Sequence, residues 1–232
     1  MKKFLIPLII FIFSYSNGNA ENNLGKIIQI IGDTDITSLS FGRKFIPKTG
    51  VSITRDYRIR TGKRSFLQIL LNNGTKLFIR ELSVLNILNI KSEENEPPTK
   101  IRVLTGKIRV IVKRNFKSRT LILRTPTALI GVSGTDFGII TSKDETKVVV
   151  FEGNVEIASY NREIIKSYKL KGKEESSIKL NKPPEEPSIL PSEIISSWFD
   201  YYDVIDKKRI IIRGKIEEGI IDKLLRKKKF NK

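Results

Sequence analysis

The sequence has no cysteine and no histidine, one tryptophan, and one methionine at position 1. Without cysteine there are no disulfides and no thiolate metal sites, so the fold rests on its core alone. Without histidine the Ser-His-Asp and Cys-His arrangements, imidazole metal sites and the commonest general base are excluded. Serine-lysine or paired-carboxylate chemistry is formally left. However, Asp33 and Asp35 flank Thr34 without the further oxygen ligands of a calcium loop, which reads as turn chemistry. Ser133, three residues before Asp136, reads as a small residue in a tight bend. No glycine-rich phosphate loop lies between a strand and a helix. The composition therefore points away from an enzyme and implies no cofactor and no metal.

Long apolar runs are also missing after the first twenty residues; nothing reaches the ~20 apolar residues of a spanning helix. The first twenty read as a secretory signal peptide: Lys2 and Lys3, a twelve-residue apolar stretch from Phe4 to Tyr15, and Gly18-Asn19-Ala20 before a cut ahead of Glu21. No cysteine stands at the cut for lipid attachment, and no transmembrane span is expected once the signal is removed. The expected location is periplasmic or secreted. Negative charge is scarce: the chain carries 43 Lys and Arg against 25 Asp and Glu, a formal net charge of +18. Such a field favours anionic lipid, cell-wall polymer or acidic proteins, and export argues against nucleic acid. Lysine-rich and isoleucine-rich usage in general is the plainer account of the same numbers.

What is present is a succession of short apolar runs separated by turn signals. Lys26 to Ile31, Ser52 to Ile53, Phe66 to Leu71, Lys76 to Ile79, Val84 to Ile90, Ile101 to Leu104, Lys107 to Val112 and Thr120 to Arg124 are expected strands. Gly32-Asp33, Thr49-Gly50, Thr61-Gly62, Asn73-Gly74 and Thr105-Gly106 are expected turns, Asn73-Gly74 as a type I′ hairpin. From Arg102 on, Val103, Thr105, Ile108, Val110 and Val112 should face inward. Lys107, Arg109, Ile111 and Lys113 should face water, beside Arg114. Two readings of that cationic face stand: a solvated face that protects an edge, or an anion contact through Arg109, Lys113 and Arg114. Lys91 to Lys100 reads as a surface loop.

The stretch from Arg124 to Ile157 is the least ordinary. Thr125-Pro126 leads into it, and Pro126 is expected at a strand start or edge. Gly131 and Gly134 lie among β-branched residues, as in a bulge or tight backbone approach. Phe137 to Thr141 and Lys147 to Phe151 should pair across Ser142 to Thr146, and Glu152-Gly153-Asn154 should turn the chain into Val155 to Ile157. Thr135 and Phe137 should tie and fill the corner. The run TPTALIGVSGTDFGI, a charged turn, then VVVFEGNVEI resembles the FecR-type domain, in which Thr-Pro, Gly-Val-x-Gly-Thr-x-Phe and Glu-Gly-x-Val occur in this order. The resemblance extends loosely over Gly25 to Ser159. Many members carry arginine where this chain has Ser133, and no role of that arginine transfers. Pro126, Gly131, Gly134, Thr135, Phe137 and Gly153 are the motif residues, with an architectural role expected.

The expected fold is all-β: a FecR-like antiparallel β-sandwich or short β-solenoid with a small C-terminal helical appendage. The expected division is 1–20 signal peptide, 21–180 β-domain, 181–191 proline-rich linker and 192–232 basic helical tail. In the tail, Ser192 is the expected cap of a helix carrying Ile194, Ile195, Trp198, Tyr201, Tyr202 and Ile205, with a second helix from Lys215 to Lys229. Helices this short are marginal alone and must dock, on the β-domain or on a partner. Lys227, Lys228 and Lys229 near the C-terminus are further candidate anion contacts. The resemblance implies a module outside the inner membrane. In the family such domains serve transmembrane regulators that pass a signal to a sigma factor, and without a spanning helix the module is expected here without that circuit. The functional expectation is an exported binding or scaffolding module of the cell envelope, in signal sensing by contact with an envelope protein. The alternative is a cationic envelope protein holding anionic lipid or cell-wall polymer.

Overall fold

The computed structural model describes residues 23–91, 95–113, 121–195, 197 and 198. The expected signal peptide, Arg114 and the tail beyond Trp198, with Lys227, Lys228 and Lys229, lie outside these residues. Among the described residues seventeen strands follow in order. The first eight are β1 (Asn23–Ile31), β2 (Thr34–Ser38), β3 (Lys44–Phe45), β4 (Ser52–Thr54), β5 (Tyr57–Thr61), β6 (Phe66–Leu71), β7 (Lys76–Ile79) and β8 (Val84–Asn89). Then come β9 (Thr99–Ile111), β10 (Leu121–Arg124), β11 (Ala128–Val132), β12 (Asp136–Thr141), β13 (Glu145–Glu152), β14 (Asn154–Ser159), β15 (Ser167–Lys171), β16 (Glu174–Lys179) and β17 (Ser188–Ile189).

Hydrogen bonding joins all strands into one sheet that β9 divides into two layers. The front layer runs β4-β1-β6-β7-β9-β12-β13-β16-β17. The back layer runs β3-β2-β5-β8-β9-β10-β11-β14-β15. Residues 99–105 of β9 pair in the back layer and 106–111 in the front. Strands β1 to β8 thus form one wing and β10 to β17 the other, and among the described strands β9 alone bonds to both. Pairing is antiparallel except for β9 with β10. Beyond β9, hairpins alternate between layers, which makes the architecture the sandwich of the two expected forms.

Alternation builds the core. In β6, Phe66, Leu67, Ile69 and Leu71 are buried, and in β13 Val148 and Val150. Inward residues of both layers and both wings form a single apolar cluster. Burial at ~25 cal/mol per Å² of apolar surface is the main force holding the layers together. A second, polar tie joins the layers at one end. The buried Thr146 hydroxyl meets those of Thr125 at 2.7 Å, Thr127 at 2.7 Å and Thr141 at 2.8 Å. One hydroxyl can donate once and accept twice, so this hub is fully satisfied.

Several local expectations are corrected. Thr105-Gly106 is not a turn, because β9 runs through it and bends there between layers. Gly106 has φ +117, and a Cβ on it would fall 2.1 Å from the Ser83 Oγ. Asn73-Gly74 is not type I′, since only Gly74 has positive φ. The Gly74 N–H donates to the Leu71 carbonyl at 2.9 Å, closing the three-residue loop that is the next commonest hairpin form. Pro126 lies in the tight turn between β10 and β11, neither at a strand start nor on an edge; the Thr125 N–H donates to the Ala128 carbonyl there. Gly131 sits in regular pairing opposite Ile122 and Glu156. The irregularity lies further on, between Asp136 and Phe137, whose partners are Glu152 and Val150 respectively. Lys91, expected in a surface loop, is buried.

Candidate functional site

The motif residues are spread through the fold and do not converge on a reactive centre. Gly134, with φ +72, makes the corner between β11 and β12. Gly153, with φ +88, lies against it, so that a Cβ there would stand 2.9 Å from the Gly134 carbonyl oxygen. The Thr135 hydroxyl donates to the Asn154 carbonyl at 2.9 Å, and Phe137 is fully buried. A cleft of about 390 Å³ opens beside Pro126, lined also by Tyr160, Arg162 and Asn181. The Arg124 guanidinium stacks 3.8 Å from the Tyr160 ring at that end.

The densest chemistry lies on the outer face of the front layer. Strand alternation turns Lys107 and Arg109 of β9, Asp136 and Gly138 of β12, and Val149 and Phe151 of β13 outward. Arg109 was expected to be wet, yet it is only 7% exposed. Its Nε donates to Asp136 Oδ1 at 2.9 Å and its terminal nitrogen to Oδ2 at 2.6 Å. Its guanidinium also lies 5.8 Å from the Phe78 ring centroid and 5.3 Å from that of Phe151. A fork-to-fork pair between two aromatic faces is a fixed structural unit, with the cation engaged inside the protein. Lys113 lies two residues beyond β9, exposed, its stem across the β6–β7 turn where a Cβ on Gly74 would meet it at 3.2 Å.

Gly138 leaves a gap in this face, and Trp198 fills it. A Cβ on Gly138 would stand 2.6 Å from the indole Cη2. The Trp198 ring meets Phe151 edge-on at 5.7 Å, and the Lys107 ammonium lies 4.1 Å from its centroid. Trp198, Val149 and Leu190 form a second buried cluster, with Ile194 and Ile195 against it. The segment that delivers the indole is tied down along its length. In the stretch expected as a linker, the Glu185 N–H donates to the Ser177 carbonyl and the Leu190 N–H to the Lys173 carbonyl, while β17 pairs with β16. Residues 192–195 and 197–198 are helical, and the Ile195 N–H donates to the Pro191 carbonyl. Pro191, where Ser192 was expected, therefore holds the cap position. The sequence held two signals for this seat: an isolated glycine inside a strand, which marks close approach, and the lone tryptophan.

Burial pushes the Lys107 ammonium below its ordinary pKa, and the Arg80 charge adds to the shift. Between the folded and unfolded values the unfolded chain binds more protons, so stability from this group rises with pH. The penalty is fully present at neutral pH and relieved as pH climbs through the lowered value. The difference in unfolding free energy between wild type and Lys107→Met should accordingly move in wild type's favour as pH is raised into the alkaline range. Denaturation curves across that range check this, and a pH-independent difference would contradict it.

These features define a two-layer β-sandwich with a shaped outer face that binds a peptide segment of its own chain. Residues 57–156 match the family described as FecR protein, and that stretch is a FecR-type domain. A crystal structure of a putative anti-sigma factor from Parabacteroides distasonis ATCC 8503, at 2.50 Å resolution, is similar over 65% of this chain and 71% of its own, with TM-score 0.51 and 17% identity. Another of that description and organism, at 1.65 Å, is similar over 73% of this chain and 91% of its own, with TM-score 0.51 and 14% identity. At such identities the likeness is one of fold. No curated protein matches the chain. Among the described residues no helix is long and apolar enough to cross a membrane.

Proposed function

We propose that this protein is an exported, non-catalytic binding module of the cell envelope, in which the FecR-type domain takes part in signal sensing by protein–protein contact. The observation that carries this reading is the Gly138 seat. Its walls are Phe151 and Lys107, and its occupant is an aromatic side chain on a short helix. An aromatic anchor in a desolvated pocket is the usual centre of a protein interface. A face that already takes such an anchor from residues 190–198 suits the same type of segment from a partner, with the chain's own segment as competitor. The family match and the fold shared with proteins described as putative anti-sigma factors support a regulatory reading.

Capture from envelope extracts tests it, using the full chain, a chain lacking residues 192–232, Trp198→Ala and Gly138→Phe. Opening the seat by truncation or Trp198→Ala should raise capture of one and the same partner several-fold. Gly138→Phe, which fills the seat from the outside of the sheet, should abolish it. Identical capture by all four proteins would remove the seat from recognition.

A further inference from the structure

A second surface stands at the far edge of the back layer, mostly ahead of the family-matched residues. The loop from β2 to β3 carries Leu39 and Phe41, and Ile46 follows β3 on the same hairpin; they are 47%, 79% and 82% exposed. This loop is a fixed projection. The Ser38 N–H donates to the Arg43 carbonyl at 2.8 Å, closing it, and the Leu39 N–H donates to the Asp56 carbonyl at 2.8 Å. The Asp56 carboxylate accepts from the Ser38 hydroxyl, the Ser40 N–H at 2.7 Å and the Ser40 hydroxyl at 2.6 Å. Those bonds, that of Ser38 foremost, hold the Asp56 carboxyl below its ordinary pKa. Side chains as apolar as phenylalanine and isoleucine are thus presented to water by a loop whose own backbone is tied down.

The charges around the projection are of one sign once internal pairs are removed. From residue 34 to residue 60 the acids are Asp35 and Asp56. Asp56 is engaged by the loop, and Asp35 by Lys44 at 3.2 Å and Arg60 at 2.9 Å. Arg43, Lys48, Arg55 and Arg58 remain, all exposed. Arg43 is in the loop itself, Arg55 immediately precedes the Asp56 that braces it, and Arg58 pairs opposite Thr37 at its base. A convex apolar tip beside unpaired cations is complementary to the interface of an anionic bilayer, where apolar groups enter the acyl boundary and cations meet headgroups.

We propose that residues 38–46 form a membrane-docking finger that inserts Leu39, Phe41 and Ile46 into the surface of an anionic lipid bilayer while Arg43, Arg55 and Arg58 contact its headgroups. The finger shares no residue with the Gly138 seat, so docking and partner capture are separable.

Flotation of the full chain with phosphatidylcholine vesicles, and with vesicles that also contain phosphatidylglycerol, tests the proposal. Wild type should float with the anionic vesicles, and less so as salt is raised. Phe41→Ser should lower the partition about tenfold or more, the factor for a phenylalanine ring no longer removed from water, with an unchanged melting temperature. Trp198→Ala should leave the partition as it is. In Phe41→Trp, brominated acyl chains should quench the added indole, while wild-type fluorescence from Trp198 stays constant. Equal flotation of wild type and Phe41→Ser, or an unquenched Trp at position 41 on floated protein, would overturn the proposal. So would loss of a protein partner by Phe41→Ser with vesicle binding intact, which would make the finger a protein contact.

Discussion

Valine at Gly106 should destabilise the fold heavily, with a loss of about 2 to 6 kcal/mol. The backbone there has φ +117, a conformation that costs a side-chain-bearing residue about 1 to 3 kcal/mol. The added Cβ would also lie 2.4 Å from the Ser83 Cβ and 2.5 Å from its Cα, contacts no rotamer relieves. Overpacking of this kind costs a further ~1 to 3 kcal/mol. Ser83 has little room to retreat: its hydroxyl donates to the Arg80 carbonyl at 2.8 Å and accepts from the Lys107 N–H at 3.2 Å, and its own N–H donates to the Thr61 hydroxyl. Against a total stability of about 5 to 15 kcal/mol, the sum is a large share. Alanine should cause most of the loss, because the first carbon makes the clash. Gly42 supplies the control, since its φ is +64 but a Cβ there would meet nothing within 4 Å. If Gly106→Ala moves the denaturation midpoint no further than Gly42→Ala, the close approach is not what the glycine is for.

Removing the carboxylate of Asp136 should cost about 3 kcal/mol, at the low end of the range for breaking a buried ion pair, since the Asp136 side chain keeps 17% of its exposure. The loss comes mainly from Arg109, left charged between two aromatic rings with neither fork bond satisfied. Methionine at position 109 in the Asp136→Ala background should therefore recover much of the stability, because an apolar chain of similar length fills the space between Phe78 and Phe151 without needing a counter-charge. Urea denaturation of both single variants and the double variant measures this. Additive losses would mean that the pair is not a coupled unit.

Strands with clean alternation were legible. Phe66 to Leu71 and Lys76 to Ile79 have their expected bounds because a period of two with bulky apolar residues leaves little choice of face. Turns were less so. Thr105-Gly106 carries the same local signature as Thr61-Gly62, and only the position of Ser83, distant in sequence, separates a bend within a strand from a turn. The outward face of β9 shows a similar limit. Alternation puts Arg109 on the far side from Val110 correctly, but a period says nothing of what covers that side. Asp136 and the rings on either side of Arg109 come from other strands, and the indole that closes the face comes from a different element altogether. At Gly134, Thr135 and Gly153 the constraint is local, a backbone turn braced by one hydroxyl.

The central strand also shapes how this chain can go astray. Before β9 is in place, one half of the protein offers open edges at β7 and β8, and the other at β10 and β12, the four strands that β9 pairs with when folding is complete. Open edges template pairing with any extended segment, and the segment of best fit is a second molecule's copy of residues 99–111. At high concentration the competing product of folding is then a swapped dimer, in which each chain lends its middle strand to the other.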